Sequence, residues 1–215
     1  MLYFIAAVYN EEKEIVDLLE HVRSLVDRII IVDDGSTDET PYILDGYFSD
    51  GVGFNPSFYY ETIEHTGLPE TVKDRAKNLV PDGNWILMLD ADERLSDEAW
   101  AGIQEFFATE EDGYWDYVYF DQYEIIDNIH VRTFQKCKLF RKESVRFPLN
   151  NIHADDQFEG RGTHKKDWVV FHRKNSYKQI KREQEYLQTY KRLLNEGHID
   201  EGRYNWLIGL HHYIR

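Results

Sequence analysis

Residues 85–98 read "WILMLDADERLSDE", and the reading of this stretch decides the fold. Five apolar residues, 85–89, run without a break into Asp90, with Asp92 and Glu93 close behind. A short continuous apolar run that stops abruptly at turn-forming residues is the pattern of a strand buried on both faces. A half-exposed strand or a surface helix would interleave polar residues instead. The following "SDEAWAGIQEFFAT" opens with Ser96 placed to cap a helix and with acids for its first turn. The local unit is therefore strand, acidic turn, helix.

The same unit recurs upstream. "LYFIAAV" (2–8) reads as a buried strand. In the segment after it, Ile15, Leu18, Leu19, Val22, Leu25 and Val26 recur at helical spacing. "RIIIVDD" (28–34) is a second buried strand, ending at Asp33 and Asp34. "GSTDET" supplies turn and cap chemistry, Gly35 for the turn and Ser36 or Thr37 for the cap, before a helix at "PYILDGYF". After a Gly/Pro-bearing loop at 51–56, "SFYYETIE" reads as a strand and "PETVKDRAKNLV" as a helix. This alternation over residues 1–109 predicts an α/β fold with a doubly wound parallel sheet, whose ligands bind at the carboxyl ends of the strands.

Beyond residue 110 the rhythm changes. "DYVYFDQYEIID" and "VRTFQKCKLFRK" have strand composition and a short link, which predicts a hairpin. "NNIHADDQFEGRGTHKKD" reads as a loop and "WVVFHR" as a last strand. From residue 176 the chain turns helical, with Ile180, Leu187, Tyr190 and Leu194 in register and Asn175 or Ser176 as the cap. A second helix at "RYNWLIGLHHYIR" ends without a cap or polar tail, which suggests a chain cut short of its natural end.

Composition narrows the function. With 42% hydrophobic and 15% aromatic residues the chain is globular. Its longest apolar runs fall far below the roughly 18 residues of a membrane span. "MLYFIAAVYNEE" lacks a basic leader and turns acidic at once, so it reads as a strand and not a signal peptide. One cysteine, Cys137, allows no internal disulfide framework and no cysteine-based zinc site. A formal net charge of −15 makes a poor general binder of nucleic-acid backbones. A phosphate-bearing small molecule remains compatible if a divalent cation stands between acid and phosphate.

Asp33 and Asp34, and then Asp90, Asp92 and Glu93, each lie just past a buried strand. In a parallel sheet those strand ends share one edge, so the acids can converge on one crevice. Clustered carboxylates repel unless a cation intervenes, and hard oxygen ligands suit Mg²⁺ or Mn²⁺. Against this, an Asp at a strand end often only forms a turn, and one of the 33–34 pair is expected to cap the turn after it. Glu93 reads as a solvated or cap-side acid. His153 and His164 read as loop histidines, and His211 and His212 as structural. The tyrosines and tryptophan of 114–123 read as core and sheet surface.

Taken in order, "VYNEE", "IIIVDDGSTDET" and "WILMLDADE" resemble the inverting family 2 glycosyltransferases of GT-A fold, closest to the bacterial cell-surface polysaccharide and lipopolysaccharide-core type. The resemblance spans residues 1–175, with 176–215 a helical extension. It implies a Rossmann-like, mostly parallel sheet with helices on both faces. It also implies transfer of a sugar from a nucleotide diphosphate donor to an acceptor hydroxyl, with Mn²⁺ or Mg²⁺. Ala7, Val8 and Tyr9 would line the nucleotide base, and Glu11 would sit at the donor site. Asp34 would accept a hydrogen bond from the base, typically uracil. Arg75 resembles the family's "RN" element, read here as "RAKN", with Lys77 its rival. Asp90 and Asp92 form the DxD motif. Asp92 would bind the metal directly, and Asp90 would reach the ribose or a metal-bound water. "KLFRKESVRF" resembles the strand that precedes the catalytic base. Aligned as an "ED" element the base is Asp156; aligned through His153 it is Asp155. Asp156 is the preferred reading. "FHRKNSYKQ" resembles the segment whose histidine completes the metal shell, which nominates His172.

The acceptor implied is a glycan, a lipid-linked group or a protein. The matching location is cytoplasmic or peripheral at the inner face of the membrane. Three rivals are a nucleotidyltransferase of similar fold, a non-catalytic nucleotide-sugar-binding domain, and an enzyme glycosylating protein or nucleic acid. The first would carry a glycine-rich basic loop after strand one, where this chain reads "AAVYNEE". The last draws on the basic run "RGTHKKDWVVFHRK" and on the chance that the C-terminal helices begin a repeat.

Overall fold

The computed structural model of the chain describes residues 1–49, 57–148 and 156–211. They form two compact units, Met1–Arg173 and Lys174–Arg215. In chain order the elements are β1 (Leu2–Val8), α1 (Ile15–Val22), β2 (Arg28–Asp33), α2 (Thr40–Ser49), β3 (Ser57–Thr62), α3 (Pro69–Asn78), β4 (Trp85–Met88), β5 (Glu93–Leu95), α4 (Asp97–Ala108), β6 (Tyr117–Ile126), β7 (Ile129–Arg141), β8 (Val145–Arg146), β9 (Gln157–Phe158), β10 (Gly162–Lys174), α5 (Ser176–Asn195) and α6 (Glu201–His211).

The main sheet has eight strands in the order β3-β2-β1-β4-β7-β6-β10-β5. The first four pair in parallel, through β2–β3, β1–β2 and β1–β4. The β4–β7, β6–β7 and β10–β5 pairs are antiparallel. Side-chain alternation explains why the parallel half is apolar on both faces. Leu2, Phe4, Ala6 and Val8 of β1 enter one core with Ile15, Leu18 and Leu19 of α1 and with Ile103 and Phe106 of α4. Tyr3 and Ile5 point the other way, into a second core with Val72 and Ala76 of α3. Helices thus cover both faces, as the α/β Rossmann-like reading expects.

Four details depart from or refine the sequence reading. The strand in "WILMLD" ends at Met88, so Leu89 is buried but already outside the ladder. "ERL" forms β5, three residues long and too short for periodicity to reveal. β10 begins at Gly162, so "GTHKKD", expected as loop, is strand. His164 therefore lies on a strand with a partner, its Nε2 2.7 Å from Asp121 Oδ1. Asp155 and His153 lie outside the described residues.

The β6–β7 hairpin turns at Asp127 and Asn128, whose φ angles of 48° and 66° suit a two-residue turn matching strand twist. In the second unit, Gly197 (φ 75°) follows α5, and Asp200 Oδ1 accepts the Arg203 N–H at the start of α6.

Candidate active site

The carboxyl ends of β1 and β2 carry two loops that brace each other. Asn10 adopts a positive φ of 56°, and its Oδ1 accepts the N–H groups of Thr37 (2.8 Å) and Asp38 (3.3 Å). Ser36 Oγ accepts the Asn10 N–H, and Thr40 Oγ1 accepts the Glu11 N–H, both at 2.8 Å. Glu11 is buried as a result. Ala7, on β1 opposite Val32, is half-buried against the second core.

The adjacent aspartates divide their work. Asp33 is fully buried and accepts the Ser36 N–H and hydroxyl, capping its own turn. Burial pushes its carboxyl up, and the Ser36 hydrogen bonds pull it back. Asp34 reaches across to the segment after β3, accepting the N–H groups of Thr66 (2.7 Å) and Gly67 (3.1 Å) and lying 3.0 Å from His65 Nδ1. The His65 ring stacks on Tyr9 with centroids 4.3 Å apart. Tyr9, Asp34 and His65 thus form one cluster at the strand ends. Nothing in the sequence singled out His65, because a lone histidine after a strand carries no pattern.

The second acidic group sits in the turn between β4 and β5. The Glu93 N–H bonds the Asp90 carbonyl (3.0 Å), and Glu93 Oε2 accepts the Asp90 N–H (2.9 Å). Glu93, expected as a solvated or cap-side acid, holds the turn in this way but is only 1% exposed. The reason is Lys138, a buried lysine on β7 whose ammonium lies 2.5 Å from Glu93 Oε2. Paired and hydrogen-bonded, a carboxylate tolerates burial that would otherwise neutralise it. Glu93 Oε1 is buried with no hydrogen-bond partner among the described residues.

Strand β10 brings the histidine to the acids. Its antiparallel pairing sets His172 opposite Glu93, and the Arg173 N–H bonds the Asp92 carbonyl at 3.0 Å. His172 Nε2 then lies 3.2 Å from Asp92 Oδ1, while Nδ1 faces the Gln122 amide at 2.7 Å. Asp90, Glu93 and His172 each offer a ligand atom within 4.8 Å of the others. Two overlapping donor sets result. The Asp92–His172 pair fits a cation better, because ligands at about 2.1 Å in an octahedron stand about 3 Å apart. One oxygen of Glu93 is already held by Lys138, which leaves it a flanking role.

The cation from α3 differs from the expected one. Arg75 is more than half exposed and makes a two-pronged pair with Glu61, at 2.6 and 2.8 Å. It is not brought to the acids. Lys77 pairs with Asp74. Lys73 instead lies 3.5 Å from Asp90 Oδ1. Burial alone would lower its ammonium, but Asp90, Glu70, Asp156 and Glu93 more than offset this and hold it above the ordinary lysine value.

Asp156 lies within electrostatic reach of the same groups. Burial raises its carboxyl above the ordinary value, while Lys73, Lys136 and Lys138 act to lower it and Asp90 to raise it. Glu70, at the start of α3, is raised by burial too, and its Oε2 has no hydrogen-bond partner among the described residues. No pattern in the chain marks Glu70 or Lys138 beforehand. The structure therefore joins Asp90, Asp92, Asp156 and His172, adds Lys73, Glu70, Glu93 and Lys138, and leaves Arg75 outside.

No curated protein matches the chain by sequence. Solved structures do match in shape. TarS residues 1–349 from S. aureus, in complex with UDP, superposes with a TM-score of 0.59 at 15% identity, covering 96% of this chain and 69% of that one. Against the longer TarS structure the chain spans only 42% of the length. The mannosyltransferase PcManGT from Pyrobaculum calidifontis, with GDP-Man and Mn²⁺, gives 0.58 at 16% identity, covering 90% and 64%. GalNAc-T7, with UDP, GalNAc and Mn²⁺, gives 0.57 at 11%, covering 81% and 44%. At these identities the likeness shows the fold alone. The profile described as glycosyl transferase family 2 matches residues 3–166, three quarters of the sequence and every described site residue except His172, and on that match the chain belongs to glycosyl transferase family 2.

Proposed function

We propose that the protein transfers a sugar from a nucleotide diphosphate donor to an acceptor hydroxyl by a metal-dependent single displacement that inverts the anomeric centre. The observation that carries this reading is that Asp90 lies 3.5 Å from Lys73, on which Asp156 also acts, and shares a donor cluster with His172, which in turn lies 3.2 Å from Asp92. A cation, a diphosphate and a general base all need to meet at one such place.

Asp92 and His172 would hold Mn²⁺ or Mg²⁺, with Asp90 at the ribose or a metal-bound water. When bound, the ion supplies positive field to the departing diphosphate. Lys73, kept charged by its acidic neighbours, adds a fixed positive charge there. Asp156 takes the proton from the acceptor hydroxyl; a raised carboxyl is the stronger base near neutral pH. Asp155 is the alternative base. Ala7, Tyr9, Glu11 and Asp34 line the nucleotide end, with His65 beside them. A UDP-linked donor is the preferred reading, supported by TarS solved with UDP and by the Asp34 cluster. The acceptor proposed is a cell-surface glycan. The basic run at 161–174 favours nucleic acid less than its composition suggests, because Lys165 pairs with Glu111 and Arg161 with Asp116.

The test is a panel of nucleotide sugars with Mn²⁺, followed by nucleoside diphosphate release. Asp92→Asn should abolish metal-dependent nucleotide binding. Asp156→Asn should spare donor binding and slow transfer by about 10²–10⁴-fold. Absence of any nucleotide diphosphate binding with metal present would refute the transferase reading. Unchanged transfer in Asp156→Asn would move the base to Asp155.

A further inference from the structure

We propose that Gln122 is a positioning residue for the cation site: its amide selects which ring nitrogen of His172 carries the proton, and so whether Nε2 presents a lone pair beside Asp92. The inference rests on the metal-dependent reading above.

Gln122 lies on the buried face of β6 with Phe120 and Glu124 and is 3% exposed. A neutral imidazole has one donor and one acceptor nitrogen, so the partner of one decides the state of the other. Gln122 makes the only hydrogen bond to His172 Nδ1 among the described residues, with its amide nitrogen at 2.7 Å. That amide donates, so Nδ1 accepts, and the proton of the neutral ring sits on Nε2, which lies 3.2 Å from Asp92 Oδ1. This arrangement leaves Nε2 unable to ligate a cation.

It also leaves a mark. Gln122 Oε1 is buried with no hydrogen-bond partner among the described residues. Half a turn of the amide brings that oxygen opposite Nδ1. Nδ1 then carries the proton and donates to it, and Nε2 keeps a lone pair at ligand spacing from Asp92. Glu93 Oε1, buried, unbonded and 3.9 Å from Nδ1, favours the same proton position by its charge. An amide serves both states and stays neutral. A carboxylate would also accept from Nδ1, but it would add another negative charge beside Asp90, Asp92 and Glu93.

The experiment is Mn²⁺ titration of the full chain in the presence of UDP, read from the free-Mn²⁺ resonance signal, together with the ¹⁵N shifts of His172 in the Mg²⁺–UDP-saturated protein. Wild type should show the Nδ1–H tautomer when saturated. Gln122→Met, similar in shape but unable to hydrogen-bond strongly, should weaken Mn²⁺ by about 10–100-fold with no loss of melting temperature in the absence of metal. Gln122→Glu should restore binding to within a few-fold of wild type. Equal Mn²⁺ affinity in wild type and Gln122→Met, or equal loss in both variants, overturns the proposal. If Gln122→Met does not fold, an Nε2–H tautomer in saturated wild type overturns it alone. Failure of wild type to bind Mn²⁺ with UDP would instead overturn the metal-dependent reading, and this inference with it.

Discussion

Lys73 and Arg75 stand two residues apart on α3 and meet different surroundings. At about 100° per residue, Val72 and Ala76 define the face turned to the sheet, and residues 73 and 75 flank it on opposite sides. Helical spacing therefore separates the two cations but cannot say which flank overlooks the acids. We expect Lys73→Met to weaken UDP binding about tenfold or more, as loss of a charge-assisted contact does. Arg75→Ala should change it less than about twofold, because an exposed pair with Glu61 contributes little. Isothermal titration of UDP with Mn²⁺ against both variants checks this, and the reverse order would restore Arg75. Glu93 teaches the same lesson. Its neighbours in sequence suggest a solvated acid, while its partner, Lys138, lies 45 residues away.

At the scale of elements, short β5 depends on what holds it. His21 of α1 accepts the Leu95 N–H through Nε2 at 3.0 Å, so α1 fastens β5, and β5 in turn seats His172. Burial, aided by Arg94 and opposed by Asp97, holds the His21 imidazole below its ordinary value. A folded value below the unfolded one means the unfolded chain binds the proton first. The stability His21 contributes is thus present above about pH 6.5 and is lost as pH falls through the lower folded value. Melting temperature should drop across this window in wild type and drop less in His21→Gln, which can still accept from Leu95. A parallel decline in both would assign the effect elsewhere. Helix α4 makes a second case. A Cβ on Gly102 would fall 2.1 Å from the Trp168 indole nitrogen of β10. Alanine normally gains about 1 kcal/mol over glycine in a helix, but overpacking of this kind costs about 1–3 kcal/mol, so Gly102→Ala should destabilise. At Gly46 in α2, where an added Cβ would meet no described atom within 4 Å beyond its own stretch of helix, the same change should stabilise by about 0.5–1 kcal/mol. Urea unfolding of the pair measures both signs.

At the scale of the whole molecule, every described candidate site residue falls within Met1–Arg173. A fragment of residues 1–175 should fold and bind Mn²⁺ and UDP within a few-fold of the full chain; loss of binding by a folded fragment would give the helical extension a part in the site. No helix among the described residues is long and apolar enough to cross a membrane. The sequence by itself determined the strand–turn–helix alternation, the two-faced burial of β1, β2 and β4, and the delivery of Asp33, Asp34, Asp90 and Asp92 to one sheet edge. These follow from side-chain periodicity and turn chemistry, which are local. Tertiary structure alone decided that β5 pairs with β10 and so sets His172 against Asp92, that Lys73 and not Arg75 faces the acids, and that Lys138 lets Glu93 go under. Each of these depends on a contact between distant segments, whose geometry is set by how sheets and helices pack and leaves no period in the chain.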